Sequence, residues 1–446
     1  MKYDITIPES EINSDFEVIV CGGGPSGCAS ATAAARGGAR VLLIESSGAL
    51  GGMGTSGLVP SWSPVSDGER ILYQGIAEEV FQLARRDIAH VPQDMFEWVA
   101  IDPELLKRVY DRLVSDAGVV TLFQSMLCGV QLQNEQISSI LVANKGGLSA
   151  YKAKVYIDCT GDGDLSAWAG TPYEKGDPDS GETQPATHCF TLSNVDSYAY
   201  AYHGQVSRET DDSHVARILN SKRFPLIKDR HCCNNFVGPG TVGFNAGHLW
   251  DVDFADSLSV SAALVQGREI AEQYRQALAE LYPQAFANSF LSATGAVLGI
   301  RESRRILGDY MLSIEDWLDR RSFDDEICRN NYPIDIHTAK DEIVADQQGK
   351  ISPMDRFKRY RKGESHGIPY RCLTPKGKHN LLTAGRSIST DRVVQASTRV
   401  MPVCLSVGQA AGTAAALALQ MDTVDVHSVD TRSLRDTLRG AGMYLP

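Results

Sequence analysis

Val18-Ile19-Val20-Cys21-Gly22-Gly23-Gly24-Pro25-Ser26-Gly27, followed by an Ala-rich run and Val41-Leu42-Leu43-Ile44-Glu45, reads as a strand, a tight glycine turn, a helix and a second strand ending in an acid. Gly22, Gly24 and Gly27 fill a G-x-G-x-x-G pattern. The first glycine allows the sharp turn, the second lets backbone approach a pyrophosphate, and the third lets helix pack closely on strand. Phosphates are expected at the helix N-terminus, beside Pro25 and Ser26, where unpaired N–H groups and the helix dipole favour negative charge. Glu45 stands where a ribose-binding acid belongs, roughly 20 residues past the turn, and Ser46 follows it. A carboxylate there accepts both ribose hydroxyls and repels a 2′-phosphate. The expected ligand is an adenine dinucleotide.

Farther along, Gly51-Gly52-Met53-Gly54-Thr55-Ser56-Gly57 is too rich in glycine for a helix interior or a central strand and suits backbone lying against a flat ligand. A helix is predicted behind Asp102 as cap and Pro103 at the first position, with Leu105, Leu106, Val109, Leu113 and Val114 on one face and Gly118 as its end. The period then becomes strand-like. A parallel-type strand at 119–123 precedes an antiparallel meander over 127–132, 137–143 and 153–157, turned at Asn134-Glu135 and Gly146-Gly147, with Met126 at its entrance. It returns into Ile157-Asp158-Cys159-Thr160-Gly161-Asp162-Gly163-Asp164, an apolar strand ending in a Gly-Asp turn. Residues 172–185, rich in Pro, Gly, Asp and Glu, mark a domain crossing. Near the C-terminus, Leu381-Leu382-Thr383-Ala384-Gly385-Arg386 is another buried strand running into glycine. Pro402 then opens a helix over 403–421, whose small face of Gly408, Ala411, Gly412 and Ala415 implies a neighbour packed very near its backbone.

A chain of 446 residues exceeds one ordinary core and implies two or three domains. The net charge of −12 disfavours nonspecific binding to nucleic acid or anionic membrane, and no nucleic-acid or membrane partner is expected. The first 15 residues are polar and acidic, unlike a secretory signal, and no run of about 18 apolar residues suggests a membrane span. The ten cysteines include no C-x-x-C pair and no zinc-like spacing, so reduced thiols and a cytoplasmic location are expected. No metal is expected.

The dinucleotide unit with Gly51-Gly52-Met53, the strand into Thr160-Gly161-Asp162-Gly163-Asp164, and Ala384-Gly385-Arg386 through Gly408-Gln409-Ala410-Ala411-Gly412 occur in an order that resembles the FAD-dependent oxidoreductase family of the glutathione-reductase-like flavoprotein superfamily. Leu298-Gly299-Ile300-Arg301-Glu302-Ser303-Arg304-Arg305-Ile306-Leu307-Gly308-Asp309 looks like a signature of the narrower family. The resemblance implies an α/β fold: a discontinuous FAD-binding Rossmann-like domain with a β-meander, plus an inserted mixed α+β substrate domain. The boundaries are 14–170 and 371–421 for the FAD domain, 171–370 for the insert and 422–446 for a tail. It further implies noncovalent FAD held by Gly22, Gly24, Pro25, Ser26, Gly27, Glu45, Ser46, Gly51, Gly52, Met53, Gly54, Thr55, Met126, Thr160, Gly161, Asp162, Gly385, Arg386 and Val403. The final helix would point its N-terminus at the pyrimidine edge of the flavin, where negative charge develops on reduction.

Flavin catalysis leaves the protein to orient a substrate and manage one proton. The candidates are His248, His366, Tyr370, Arg301 and Arg371. Arg301 follows Gly299 closely and is either a ligand contact or part of an ion-pair cluster with its arginine neighbours. His248 lies in a glycine-flanked loop, either solvated or titrating against a ligand. His366, Tyr370 and Arg371 stand just before the chain re-enters the FAD domain, with core packing as the other reading. Ser397, Thr398 and Arg399 could line the same pocket. His188 is read as core. The expected activity is hydride transfer between flavin and a small polar, hydroxyl-bearing substrate of the sugar or hydroxy acid class, the electron partner being open. The alternatives are a flavin monooxygenase using NAD(P)H, or a non-redox flavoprotein that modifies RNA or binds a partner.

Overall fold

The computed structural model describes residues 12–202, 205–337, 357 and 359–446. The reading of the N-terminal leader therefore lies largely outside the described residues. Strands β1 (Val18–Cys21), β2 (Val41–Ile44), β3 (Val120–Leu122), β4 (Val155–Asp158) and β5 (Leu381–Thr383) form a parallel sheet in the order β5-β4-β1-β2-β3. Every residue of β1, β2, β4 and β5 is buried, which is why these strands are continuous apolar runs rather than alternating ones. β5 pairs Leu381 with Tyr156 of β4 across more than half the chain, so the sheet is completed by the C-terminal segment.

Helix α1 (Pro25–Arg36) follows Gly24, and helices α2 (Ile76–Arg86) and α3 (Pro103–Asp116) pack nearby; Asp102 caps α3 by accepting from Glu104 N and Leu105 N, as its sequence predicts. The meander runs as Met126–Gln133, Gln136–Asn144 and Gly147–Tyr151, with Asn134 (φ 50°) and Glu135 (φ 63°) making the first turn. The stretch 153–157 departs from expectation: it leaves the meander and becomes β4, because its β-branched residues pair with β1 instead.

A second core is built on an antiparallel sheet in the order Cys232–Gly238, Thr241–Ala246, Phe190–Ser193, Phe290–Thr294. Helix α4 (Ser257–Leu281), capped by Asp256, covers it. Phe190 and Phe244 stack there with centroids 5.0 Å apart, beside Tyr274. Leu312, Trp317, Ile327, Ile368 and Tyr370 belong to the larger core around the parallel sheet, so the stretch 171–370 feeds both cores.

Helix α5 (Met401–Ala418) starts two residues before the expected helix, since proline is tolerated in a first turn where its N–H has no intrahelical partner. Against the expectation that no run of about 18 apolar residues suggests a membrane span, it is long and apolar enough to cross one, yet it is 94% buried within the protein, as a core helix is. It lies against α1 backbone to backbone. A Cβ on Gly408 would sit 2.3 Å from Ser26 O and one on Gly412 2.1 Å from Ser30 O, and Ser30 Oγ donates to Gly408 O at 2.9 Å. The helix Thr431–Gly440 in the tail buries Leu434 and Leu438 in the larger core.

Gly412→Val is expected to destabilise the fold by about 1–3 kcal/mol or more, because the opposing atoms are backbone and cannot rotate away. Gly440→Val, with nothing near its Cβ position, should cost far less. Urea unfolding of the two variants checks the contrast.

Candidate functional site

The glycine turn, the meander entrance, the Gly-Asp turn after β4 and the N-terminus of α5 enclose a cavity of ≈ 580 Å³. Of the residues predicted to hold the cofactor, Gly22, Gly24, Pro25, Ser26, Glu45, Ser46, Gly52, Met53, Met126, Thr160, Gly161, Asp162, Gly385 and Arg386 line it. Gly27, Gly51, Gly54, Thr55 and Val403 do not. They shape the wall from behind: a Cβ on Gly27 would lie 1.8 Å from Gly22 O, Gly51 N donates to Gly23 O, and Thr55 Oγ1 donates to Leu50 O. Gly22 has φ +98° and no room for a Cβ against Cys159 O.

Gly24 caps α1 without a side-chain acceptor, so the first-turn N–H groups are available to a ligand, and its Cβ position opens on free space. Glu45 is held in place by Gly23 N and Ser47 N, each donating at 2.7 Å to one carboxylate oxygen. Across the cavity Arg386 Nη2 donates to Asp162 Oδ1 at 2.7 Å. Asp164, which also lines the wall, has its pKa raised to about 6 by burial and by the neighbouring carboxylates Asp162 and Asp158, against the pull of Arg304. Arg386 Nε and Arg399 Nε are buried at this wall without a partner among the described residues. Donors awaiting an acceptor, a bare helix N-terminus and a fixed ribose acid suit an adenine dinucleotide with a flavin.

A second cavity of ≈ 220 Å³ adjoins the first and shares Met53, Ile300, Arg386, Arg399 and Met401 with it. Arg208, His231, Asn245, Arg301, Tyr332, Asp335 and His337 also line it. Arg301 is 6% exposed, and its partners among the described residues are all neutral: Nη1 donates to Pro185 O and Thr187 Oγ1, both at 2.7 Å, and Nη2 lies 2.9 Å from His231 Nε2 and 3.3 Å from Asn245 Oδ1. Burial, then Arg399, lowers its pKa to about 10. His337 Nδ1 is 2.9 Å from His248 Nε2, and His337 Nε2 is 3.4 Å from Asp335 Oδ1. Burial pushes His231, His248 and His337 below the ordinary imidazole range, so they stand neutral at pH 7.

Arg301 thus lies in the second cavity wall and His248 directly behind it. The other three predicted catalytic residues line neither cavity. His366 is wholly buried, with Nδ1 2.6 Å from Tyr360 Oη; burial, then Arg329 and Arg320, lowers its pKa to about 3. Tyr370 Oη donates to Val426 O at 2.7 Å within the core. Arg371 is half-exposed and pairs with Asp325 through Nε at 2.9 Å. Sequence reasoning missed Arg208, His231, Asp335 and His337, which come from three separate segments, the last two from one loop, and carry no local pattern. Cys404 and Met401, at the start of α5, line the cofactor cavity in place of Val403.

His366→Gln should leave turnover intact. A His whose folded pKa is lowered supports stability above its unfolded value near 6.5, and that support is lost as pH falls toward 3. The variant should therefore show a flatter loss of stability between roughly pH 6.5 and 3, read by urea unfolding across that range. Gly27→Val should yield colourless protein that takes up no FAD, read from the flavin absorbance after reconstitution.

No curated protein matches the chain. Among solved structures it is similar to a geranylgeranyl bacteriochlorophyll reductase-like protein from Thermoplasma acidophilum, with 12% identity and a TM-score of 0.45 over 97% of this chain and 89% of that one. It is also similar to p-nitrophenol 4-monooxygenase from Pseudomonas putida DLL-E4, with 12% identity and a TM-score of 0.42 over 66% and 69%. A third is an anhydrotetracycline hydroxylase from Streptomyces rimosus, with 11% identity and a TM-score of 0.46 over 95% and 65%. The profile of the family described as FAD dependent oxidoreductase matches residues 17–438. With the dinucleotide turn, both segments of the parallel sheet and the cavity between them inside that span, the chain belongs to the FAD-dependent oxidoreductase family and its cofactor is FAD.

Proposed function

We propose that the protein exchanges hydride between FAD and a small organic carboxylate carrying a hydroxyl or keto group, bound in the ≈ 220 Å³ cavity. One observation carries the reading: among the described residues, four guanidiniums, of Arg208, Arg301, Arg386 and Arg399, line that cavity against a single carboxylate, Asp335. Arg386 is matched by Asp162 and Arg399 by Asp335, the latter at 3.2 Å, while Arg301 has only neutral partners among the described residues. Buried cationic charge is costly unless neutralised, and an anionic substrate supplies the missing charge. A hydroxy acid fits this wall better than a neutral sugar.

FAD, when bound, supplies the two-electron chemistry. Arg208 holds the carboxylate, and Arg301, fixed by Pro185 O, Thr187 Oγ1, His231 Nε2 and Asn245 Oδ1, sets its positive charge beside it. His337, whose Nδ1 lies 2.9 Å from His248 Nε2 and whose Nε2 lies 3.4 Å from Asp335 Oδ1, takes the substrate's hydroxyl proton, and Asp335 stabilises the imidazolium that forms. The lowered imidazole pKa keeps this base unprotonated at neutral pH. In the reduction direction the same group returns the proton.

Two of the similar structures above are named as monooxygenase or hydroxylase. Oxygen insertion driven by NAD(P)H is accordingly the second reading, at a likeness that speaks to fold alone.

Anaerobic mixing with a panel of 2-hydroxy acids is expected to bleach the flavin band, and the matching neutral alcohols are not. Arg301→Met and Arg208→Met should each lower kcat/KM by roughly 10- to 100-fold, the worth of a lost charged hydrogen bond, with FAD content unchanged. His337→Gln should lower kcat by roughly 10²- to 10⁴-fold. Bleaching only by NAD(P)H, followed by oxygen uptake coupled to a hydroxylated product, would replace this reading with the second.

A further inference from the structure

Among the described residues, two clusters offer three nitrogen or oxygen ligands within 4.8 Å of one another: His231, His248 and His337 at the substrate cavity, and His379, Asp425 and His427 next to the start of β5. Geometry separates them. An imidazole gives its lone pair in the ring plane, so two rings bound to one ion must have intersecting planes. His231 and His248 are stacked, 4.2 Å apart with 7° between planes, and cannot meet at one ion. Arg301, against His231, further opposes a cation there.

His379 and His427 are set at 68° with centroids 5.4 Å apart. Two imidazoles on a tetrahedral ion with bonds of ~2.0–2.1 Å hold their ring centres roughly 5 Å apart, and adjacent ligand atoms on such an ion are separated by roughly 3.3 Å. The separations match: His379 Nδ1 to Asp425 Oδ1 is 3.0 Å, and His427 Nε2 to Lys378 O is 3.1 Å. Behind this face, Asp309 Oδ2 lies 2.6 Å from His427 Nδ1 and is held in turn by Thr374 Oγ1 at 2.8 Å. A carboxylate on Nδ1 is what orients an imidazole to ligate through Nε2. Asp425 is likewise fixed, with Ser428 Oγ donating to its other oxygen at 2.7 Å.

We infer that His379, Asp425 and His427, with the Lys378 carbonyl as a fourth oxygen, form a zinc site. The ion replaces the hydrogens between His379 and Asp425 and between His427 and Lys378. It pins the segment Asp425–Ser428, which joins α5 to the last helix, onto the residues leading into β5. That segment already reaches this place through Val426 N donating to His379 O at 2.8 Å. Nitrogen and carboxylate ligands in four-coordination suit Zn²⁺ better than Ca²⁺ or Mg²⁺, which take six or more oxygens.

The test is calorimetric titration of chelator-treated FAD-loaded enzyme with ZnCl₂, in a background where exposed Cys128 is replaced by Ser. One ion per chain is expected. His379→Gln and His427→Gln should each weaken binding by ~100-fold or more and Asp309→Asn by ~10-fold, the usual effect of removing an orienting carboxylate. His231→Gln should leave it unchanged. Retained flavin absorbance in the variants shows that they fold, and Co²⁺ in place of Zn²⁺ should give the visible bands of a tetrahedral site. The inference is overturned if no saturable binding is seen, if His379→Gln and His427→Gln bind as the parent does, or if binding is lost in His231→Gln instead.

Discussion

The contact on which the rest depends is the parallel, backbone-level approach of α5 to α1. Ser26 opposes Gly408 and Ser30 opposes Gly412, the same offset at both places, so the helices run side by side in the same direction. Their N-termini therefore open on one cavity, with Pro25 and Ser26 from one helix and Met401 and Cys404 from the other in its wall. Helix dipoles that reinforce each other at one end make that end a good place for a pyrophosphate and for a ring that becomes negative. No side chain larger than hydrogen at 408 or 412 preserves the approach, and the small residues of α5 are explained by it.

The same closure decides where charge is tolerated. The C-terminal segment brings Gly385-Arg386 to the Gly-Asp turn after β4, where Arg386 is met by Asp162, and it brings Arg399 to Asp335. Positive groups gathered by three distant parts of the chain then face one small chamber beside the cofactor cavity. Arg301 is held there by dipoles instead of a counter-charge, an arrangement that keeps a guanidinium oriented without spending its charge on the protein. The neutral imidazoles next to it follow from the same burial that lowers the Arg301 pKa.

Histidine shows how little residue type alone says about role. His366, on a strand next to the re-entry point, is an acid-sensitive core residue sealed against Tyr360. His248 sits one ring behind the substrate wall. His379 and His427 meet at the surface through carboxylates contributed by Asp425 and Asp309. Their differences come from ring orientation and from what stands behind each nitrogen, neither of which is a property of the local sequence.

What the sequence determined by itself is the dinucleotide half of the protein. Gly22, Gly24, Gly27, Glu45 and the apolar strands carry their own geometry in residue type and spacing, because turns, caps and buried parallel strands depend on neighbours a few positions away. Gly408 and Gly412 likewise announced a close neighbour, though not which one. The substrate chamber was decided only by tertiary structure: Arg208, His231 and the pair Asp335 and His337 have no common period or motif, and folding alone brings these three segments to one wall. The fate of His366, Tyr370 and Arg371 was hidden for the same reason, since proximity in sequence to a domain junction does not say on which side of a packed core a side chain comes to rest.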